Sequence, residues 1–175
     1  MRDLEIKAIL FDADGVIQRP AVDWQKALAQ VLGDSNRDLE AFMSDVFAAE
    51  RPALTGQADF GAALAEVLSR WQCRATLEAA LEVWSRIEVD AEIMRTIQTL
   101  RRGGTRCYLA TNQQSYRARH MSAVLGYAEQ FDGEFYSCRL GRTKPDAAFF
   151  EAILSEIGLA PGSVLFVDDD QSNVA

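Results

Sequence analysis

The chain has 175 residues, of which 49% are hydrophobic, so it can bury one good core, or one core with a small appended domain, but not two full-sized domains. Its formal net charge of −8 and its scattered basic residues argue against binding to nucleic acid or to an anionic membrane, since both need clustered Lys and Arg. The three cysteines, Cys73, Cys107 and Cys138, are far apart and form no CxxC pair, and the first residues contain no long apolar segment. These features predict a soluble cytoplasmic protein whose partner is a small molecule, with no disulfide framework and no zinc site.

Short apolar runs that end in polar residues recur along the chain and alternate with stretches of helical pattern. The strand-like runs are residues 6–11, 105–110 and 163–167, with a weaker one at 134–137. The helix-like stretches are 90–102, 114–125 and 146–157, and a glycine follows each of them. Because apolar runs typical of buried strands alternate with helices, they predict a parallel α/β sheet that is covered on both faces and joined by right-handed crossovers.

Residues 22–88 have a different pattern, without a convincing strand. Helical apolar spacing appears in four stretches, at 23–33, 37–50, 59–71 and 75–87. This predicts an insert of about four helices between the first strand and the rest of the sheet. No Pro/Gly/Ser linker separates the two parts, so we expect the insert to pack closely on the sheet.

Polar side chains follow the predicted strands at the point where each one ends. Asp12 and Asp14 follow the first strand, Thr111 and Asn112 follow 105–110, the loop GRTKPD supplies Lys144, and Asp168, Asp169 and Asp170 follow the last strand. Ligands of open parallel sheets bind beyond the carboxyl ends of the strands, so these side chains are expected to converge. Two acids beside a buried strand cost stability unless a cation or a reaction uses them.

Together these residues predict a cation site that faces a phosphate site. Magnesium prefers oxygen ligands, and Asp12 and Asp169 could supply carboxylates while Asp14 could add its backbone carbonyl. Asp168 is expected either to bind the metal as well or to support one of its ligands. Lys144, Thr111 and Asn112, helped by amides of the helix that begins after Asn112, are expected to bind phosphate oxygens. Asp12 would then attack phosphorus, and Asp14 would act as general acid and base. Asp170 is expected only to begin a helix.

The four groups of residues resemble the motifs of the haloacid dehalogenase (HAD) superfamily of phosphohydrolases. DADGV at 12–16 is similar to the first motif, LATN at 109–112 to the second, Lys144 in TKPD to the third, and VDDD at 167–170 with Asn173 to the fourth. The resemblance covers nearly the whole chain. It implies a Rossmann-like core of residues 1–17 and 90–175, a small α-helical cap of residues 18–89 that closes over the site, and a Mg²⁺-dependent phosphatase acting on a small phosphorylated metabolite, with a phosphosugar as one option by analogy.

Three departures from the patterns of other family members bear on the alternative activities, which are dehalogenation, phosphosugar mutase activity and phosphonate hydrolysis. Dehalogenases of the superfamily lack the second acid of the first motif, so Asp14 disfavours dehalogenation. Hexose-phosphate mutases carry a cap histidine where this chain has Trp24, and the one histidine, His120, lies in a predicted core helix, which disfavours a mutase without removing it. Phosphonate hydrolases use a cap lysine, and the insert offers Lys26 alone.

A third reading concerns the C-terminus, because the chain stops at Ala175, where family members continue with more of a helix and at least one strand. The expectation is that a C-terminal segment is missing, which leaves open a non-catalytic domain that binds phosphorylated ligands or a protein. The sequence leaves the substrate and the oligomeric state open.

Overall fold

The structure, a computed structural model, describes residues 5–33 and 37–174. The ends of the predicted core, residues 1–4 and 175, and residues 34–36 of the predicted cap lie outside the described residues. The strands are β1 (Ala8–Phe11), β2 (Gln18–Pro20), β3 (Ile87–Val89), β4 (Arg106–Thr111), β5 (Glu134–Tyr136) and β6 (Val164–Val167). The α-helices are α1 (Trp24–Leu32), α2 (Leu39–Glu50), α3 (Phe60–Arg70), α4 (Leu77–Ser85), α5 (Ala91–Arg102), α6 (Ser115–Arg119), α7 (Tyr127–Gln130), α8 (Ser137–Leu140) and α9 (Ala147–Ile157). Short 3₁₀ turns occupy Arg51–Thr55, Pro161–Ser163 and Gln171–Asn173, and a π-helical turn occupies His120–Val124.

Four of these strands form the predicted parallel sheet, in the order β5-β4-β1-β6. Phe11 at the end of β1 is level with Leu109 of β4 and with Val167 of β6. The residues that follow these positions therefore leave the sheet at one edge, as the sequence predicts. The α/β fold with helices on both sides of a parallel sheet is confirmed.

The continuous apolar run of β1 has a direct structural reason. Alternate residues of a strand point to opposite faces, and Ile9 and Phe11 belong to one apolar cluster, while Ala8 and Leu10 belong to another. The first cluster includes Met94 and Ile97 of α5, and the second includes Phe149 and Ile153 of α9. Both faces of β1 are thus buried, which removes any place for a polar residue before Asp12.

The helical insert between β2 and β3 has an apolar cluster of its own. Its largest buried side chains are Phe42, Phe60 and Trp84, and Trp24 packs edge-on against Trp84 with ring centroids 5.0 Å apart. Each insert helix begins at a side chain that accepts a hydrogen bond from the first turn, and these N-caps are Asp23, Asp38, Asp59 and Thr76. Good caps and a shared apolar face explain why these four stretches fold as helices.

Two features were not predicted. Strands β2 and β3 pair antiparallel where the insert leaves and rejoins the sheet, and Arg19 and Glu88 form an ion pair of 2.7 Å across this ribbon. The strands are three residues each, and β2 is mostly polar, so their sequence carries no strand pattern. The predicted helix 114–125 is helical over 115–124, but it changes from α-helix to a π-helical turn after Arg119. No helix of the described residues is long and apolar enough to cross a membrane.

Candidate active site

The aligned ends of β1, β4 and β6 bring Asp12, Thr111 and Asp168 to one edge of the sheet. Asp12 is 8% exposed, and its backbone N–H donates to the Val167 carbonyl at 2.9 Å, so β6 fixes the chain where it turns away from β1. Thr111 is 1% exposed, and its hydroxyl beside the Asp12 carboxylate acts to lower the pKa of that acid. The convergence expected from the strand ends is therefore present for these three residues.

Lys144 lies between two of the acids. Its Nζ is 2.7 Å from Asp12 Oδ1 and 2.5 Å from Asp168 Oδ2, and the lysine side chain is 2% exposed. Asn173 donates from Nδ2 to both Asp168 oxygens at 3.1 Å, which fixes that carboxylate from the other side. A buried ammonium with two carboxylate partners forms a well-ordered cationic centre beside Asp12.

Asn112 fixes the loop that carries Lys144. Its Nδ2 donates to the Lys144 carbonyl at 3.0 Å, and its Oδ1 accepts from the Lys144 amide at 2.9 Å. Both polar groups of the Asn112 side chain are thus used to position Lys144. Binding of phosphate by Asn112, which the sequence predicts, would then depend on its backbone amide, and it stays a prediction.

Burial and charge act in opposite directions on these acids. Burial raises the pKa of the Asp12 carboxyl above its ordinary value, while the charge and hydrogen bond of Lys144 oppose that rise. Burial also acts to raise the pKa of Asp168, but hydrogen bonds from Lys144, the Asp170 amide and Asn173 outweigh it, so this pKa lies below its ordinary value. Additional positive charge would therefore stabilise the ionised form of Asp12 more than that of Asp168.

A group of carboxylates with the chemistry of a magnesium site lies at the same edge. Within residues 5–33 and 37–174, the acids that could hold a metal are Asp12, Asp168 and Asp169, with one oxygen of each within 4.8 Å of the others. These donors are hard oxygens, and Asp12 Oδ1 makes no hydrogen bond of normal geometry to any described residue although it is ion-paired with Lys144. The residues fit a hard divalent cation.

Gly15 explains how Asp169 reaches this group. A Cβ atom on Gly15 would lie 2.1 Å from Asp169 Oδ2, and Gly15 has φ of +79°. Both the close approach and the left-handed backbone require glycine here. The DxDG pattern therefore has a packing reason for its glycine in this chain.

Asp14 has a different environment from the other acids. Its carboxylate accepts from Arg117 Nη1 at 2.5 Å and Nη2 at 2.8 Å, from Gln113 at 2.8 Å and from Gln18 at 3.0 Å. Burial acts to raise the pKa of Asp14, but the hydrogen bonds and charge of Arg117 outweigh it, so the pKa is below its ordinary value. The Asp14 carboxylate thus faces Arg117 and is not a member of the three-acid group described above, which leaves only its backbone carbonyl for the predicted metal role.

Arg117, Gln18 and Gln113 were not predicted from the sequence. Arg117 is 5% exposed and belongs to α6, where it precedes the buried Ala118 and lies one helical turn before the buried Met121. A charged residue on an otherwise apolar helix face needs a buried partner. The place of Arg117 on this apolar face is therefore the sequence signal that could have revealed a buried acidic partner. In the structure that partner is Asp14.

Two adjoining cavities open at this edge. The first, of about 480 Å³, is lined by Asp12, Asp14, Thr111, Lys144 and Asp169, with Arg19 and Pro20 of the ribbon. The second, also of about 480 Å³, shares Asn112 and Lys144 with the first and is lined otherwise by Arg51, Leu54, Thr55 and Gln57 of the insert and by Thr143. The acids therefore face a space that continues along the insert.

Over 85 residues the chain is 31% identical to the sesquiterpene phosphatase astK of Aspergillus oryzae, a match that covers 49% of this chain and 43% of that protein. The chain thus spans less than half the length of this relative.

Solved structures share the fold at low identity. A HAD family enzyme from Bacteroides thetaiotaomicron, in its magnesium complex, aligns with a TM-score of 0.80 and 16% identity over 96% of this chain and 86% of that one. The L-2-haloacid dehalogenase of Xanthobacter autotrophicus aligns with a TM-score of 0.64 and 20% identity over 97% of this chain and 72% of that one.

The family model for haloacid dehalogenase-like hydrolases matches residues 6–175. That range includes the sheet, the helical insert and every acid of the candidate site. The protein belongs to the haloacid dehalogenase-like hydrolases.

Proposed function

We propose that this hydrolase is a Mg²⁺-dependent phosphatase that cleaves a small phosphomonoester through a phospho-aspartyl intermediate on Asp12. The observation that supports this most is the position of Asp12, which touches Lys144 and shares an oxygen-rich group with Asp168 and Asp169. A carboxylate that is next to a fixed cation and a hard-metal site suits attack on phosphorus, where charge on the transferring group must be stabilised.

The proposed reaction has two displacements. An Asp12 oxygen forms a bond to phosphorus while the bond from phosphorus to the leaving oxygen breaks, and that oxygen takes a proton from Asp14. Asp14, now ionised, then accepts a proton from water as the water oxygen attacks phosphorus. The Asp12–phosphorus bond breaks, which releases inorganic phosphate and restores both carboxyls.

The remaining site residues bind the phosphoryl group in this proposal. Lys144 and the Thr111 hydroxyl would contact its oxygens, helped by the backbone amide of Asn112, while the Asn112 side chain holds Lys144 in place. The carboxylates of Asp12, Asp168 and Asp169, with the Asp14 carbonyl, would hold Mg²⁺, which when bound supplies positive charge to the transferring phosphoryl group.

We further propose that residues 18–89 act as a cap on a core of residues 1–17 and 90–175. The cavity that continues from Lys144 to Arg51 and Thr55 would hold the leaving group, which makes the insert the part that selects the substrate. Small phosphorylated metabolites are the proposed class. Phosphosugars and phosphorylated terpenoids are both worth testing, the latter because the relative named above is a sesquiterpene phosphatase.

The test is phosphate release from a panel of phosphosugars, other alkyl phosphates, a terpenyl phosphate and p-nitrophenyl phosphate. Each is assayed with Mg²⁺ and with a chelator, for the parent chain and for Asp12→Asn. Release that needs both Mg²⁺ and Asp12 supports the proposal. Release that persists with the chelator or in Asp12→Asn contradicts it.

The same panel separates the alternatives. Halide release from 2-chloropropionate would favour a dehalogenase, although Asp14 has no use there. Interconversion of phosphosugar isomers without net phosphate release would favour a mutase, although Trp24 is packed into the insert core against Trp84. Tight binding of phosphosugars without turnover would favour a non-catalytic binding domain.

A further inference from the structure

Arg117 connects two parts of the molecule that are far apart in sequence. Its Nη1 and Nη2 bind Asp14 of the sheet edge, while its Nε donates to the backbone carbonyl of Trp84 in the insert at 2.9 Å. Nη1 also donates to Gln113 Oε1 at 3.1 Å. One buried guanidinium therefore touches the proposed acid/base and the last turn of α4 at the same time.

We propose that Arg117 is a positioning residue that orients the Asp14 carboxylate for proton transfer and makes this orientation depend on the seating of the helical insert. The proposal rests on the proposed phosphatase function, because it assigns Asp14 the proton transfer. It adds a group that touches neither phosphate nor metal and acts through Asp14.

The contact to Asp14 has the geometry that fixes a carboxylate. Two parallel N–H···O bonds from a planar guanidinium define the plane of the acid, which the point charge of a lysine cannot do. Gln113 and Gln18 add further donors to the same two oxygens. Asp14 thus has its orientation set from three residues, and Arg117 among them also contacts Trp84 of the helical insert.

The contact to Trp84 belongs to the insert core. Trp84 is 1% exposed and packs edge-on against Trp24 and Phe60 at centroid distances of 5.0 and 4.8 Å. Its carbonyl cannot shift without moving the end of α4. A change in the seating of the insert therefore acts on the guanidinium directly, and through it on Asp14.

The surroundings of this contact have incomplete hydrogen bonding. Glu50, at the end of α2, lies beside the Trp84 indole, the Gln114 amide and the Arg117 charge. Among the described residues, neither Trp84 Nε1 nor Gln114 Nε2 completes a hydrogen bond of normal geometry, although both side chains are almost fully buried. Glu50 is the acceptor next to both donors, so a buried acid of the insert lies beside the Arg117–Trp84 contact.

The proposal predicts a dependence on the leaving group. Departure of an alkyl alcohol needs a proton from Asp14, whereas p-nitrophenolate leaves without one. Misorienting Asp14 should therefore slow the first displacement selectively for alkyl phosphates, whereas the second displacement uses Asp14 as the base for both substrates. A residue that only stabilised the fold would affect both substrates equally.

The experiment compares Arg117→Lys, which keeps the charge and removes the fork, and Arg117→Met with the parent. The control is Arg119→Lys, an exposed arginine on the same helix. For Arg117→Lys we expect the pre-steady-state rate of alcohol release from the best alkyl phosphate of the panel to fall by about 10- to 100-fold, a part of the 10²–10⁴ that acid–base catalysis supplies. The pre-steady-state rate of p-nitrophenol release from p-nitrophenyl phosphate should change less than about 3-fold. Equal loss of both rates, or no loss of either, overturns the proposal.

A second measurement does not need activity and covers the case in which Arg117→Met folds poorly. Hydrogen exchange of Arg117→Lys should rise both at residues 12–18 and at residues 83–86, while Arg119→Lys exchanges as the parent does. A rise at only one segment, or at neither, overturns the coupling. Absence of phosphate release in the parent would count against the proposed function instead, and the exchange result would still decide whether Arg117 joins the two segments.

Discussion

Asp12 and Asp14 stand two residues apart at the end of one strand and have opposite environments. Asp12 is 8% exposed, faces Lys144 and shares its surroundings with Asp168 and Asp169, and burial raises its pKa. The Asp14 side chain is 36% exposed, faces the Arg117 fork and has a lowered pKa.

The comparison shows how two aspartates in one short segment can have different chemical roles. The chain has left β1 at this point, and an isolated bridge joins Asp14 to Gln18, so the two side chains meet different neighbours. A lysine shared among several acids leaves Asp12 needing further positive charge, whereas a bidentate arginine satisfies Asp14 alone. In pairs of acids whose environments push their pKa values apart, the acid with the raised pKa is usually the proton donor, whereas here the directions are reversed, so the proposed roles require bound Mg²⁺ to keep Asp12 ionised and a proton on Asp14 when the substrate is bound.

The largest expected effect is the loss of kcat when Asp12 is replaced. Asp12→Asn removes the proposed nucleophile, so kcat should fall by at least about 10³-fold, roughly 4 kcal/mol in activation free energy. Steady-state phosphate release measures it. Retention of more than a tenth of the parent rate would contradict the role of Asp12.

The next effect concerns Lys144. Lys144→Met leaves Asp12 and Asp168 without the ammonium between them, and kcat/KM should fall by about 10²-fold through lost stabilisation of the phosphoryl group. Since the two acids then repel each other, added Mg²⁺ should raise the melting temperature of this variant more than that of the parent. Thermal unfolding with and without Mg²⁺ checks this, and equal shifts would speak against a shared cation site.

Stability separates the two acids more directly. Asp14→Asn deprives the buried Arg117 of its carboxylate and should lower the free energy of unfolding by about 2 kcal/mol, less than for a fully buried pair because the Asp14 side chain is 36% exposed. Asp12→Asn removes one of several clustered charges and should leave stability unchanged or slightly improved. Denaturant unfolding of both variants tests the contrast, which fails if the two lose stability equally.

The smallest effect concerns Glu50, the acid on the insert side of Arg117. Burial raises its pKa to about 7. Between the ordinary carboxyl range and about pH 7 the folded chain keeps a proton that the unfolded chain has lost, so stability falls as pH rises through that window. Relative to Glu50→Gln, the parent should lose about 1–3 kcal/mol between pH 5 and pH 8. Parallel stability curves for the two proteins would contradict the raised pKa.

Much of the fold could be read from patterns that depend on neighbours in sequence. The four strands of the parallel sheet begin and end within two residues of the predicted runs, because each run is rich in apolar residues and stops at a polar residue. Helices α5 and α9 match their stretches because Asp90 and Asp146 cap their first turns. These signals are local, so one sequence suffices.

The contacts that were not predicted join distant segments. Arg117 meets Asp14 across 103 positions and Trp84 across 33, and no spacing rule connects these residues. The same holds for the two hydrogen bonds between the Asn112 side chain and the Lys144 backbone. They position Lys144, whereas the sequence predicted that Asn112 binds phosphate. The ribbon of β2 and β3 was not predicted because the sequence of β2 has no strand pattern. Its extended conformation depends on pairing with Ile87–Val89, which is distant in sequence.

That ribbon has a mechanical consequence. The insert is attached by two chain crossings, and pairing of β2 with β3, reinforced by Arg19 and Glu88, joins them into one strap. Two unpaired connecting segments would let the insert rotate in several directions, whereas one paired ribbon favours rotation about a single axis. Because Arg19 and Pro20 also line the first cavity, that axis runs beside its mouth. We therefore expect each opening to expose the same side of the cavity, so that substrates enter and phosphate leaves by one route.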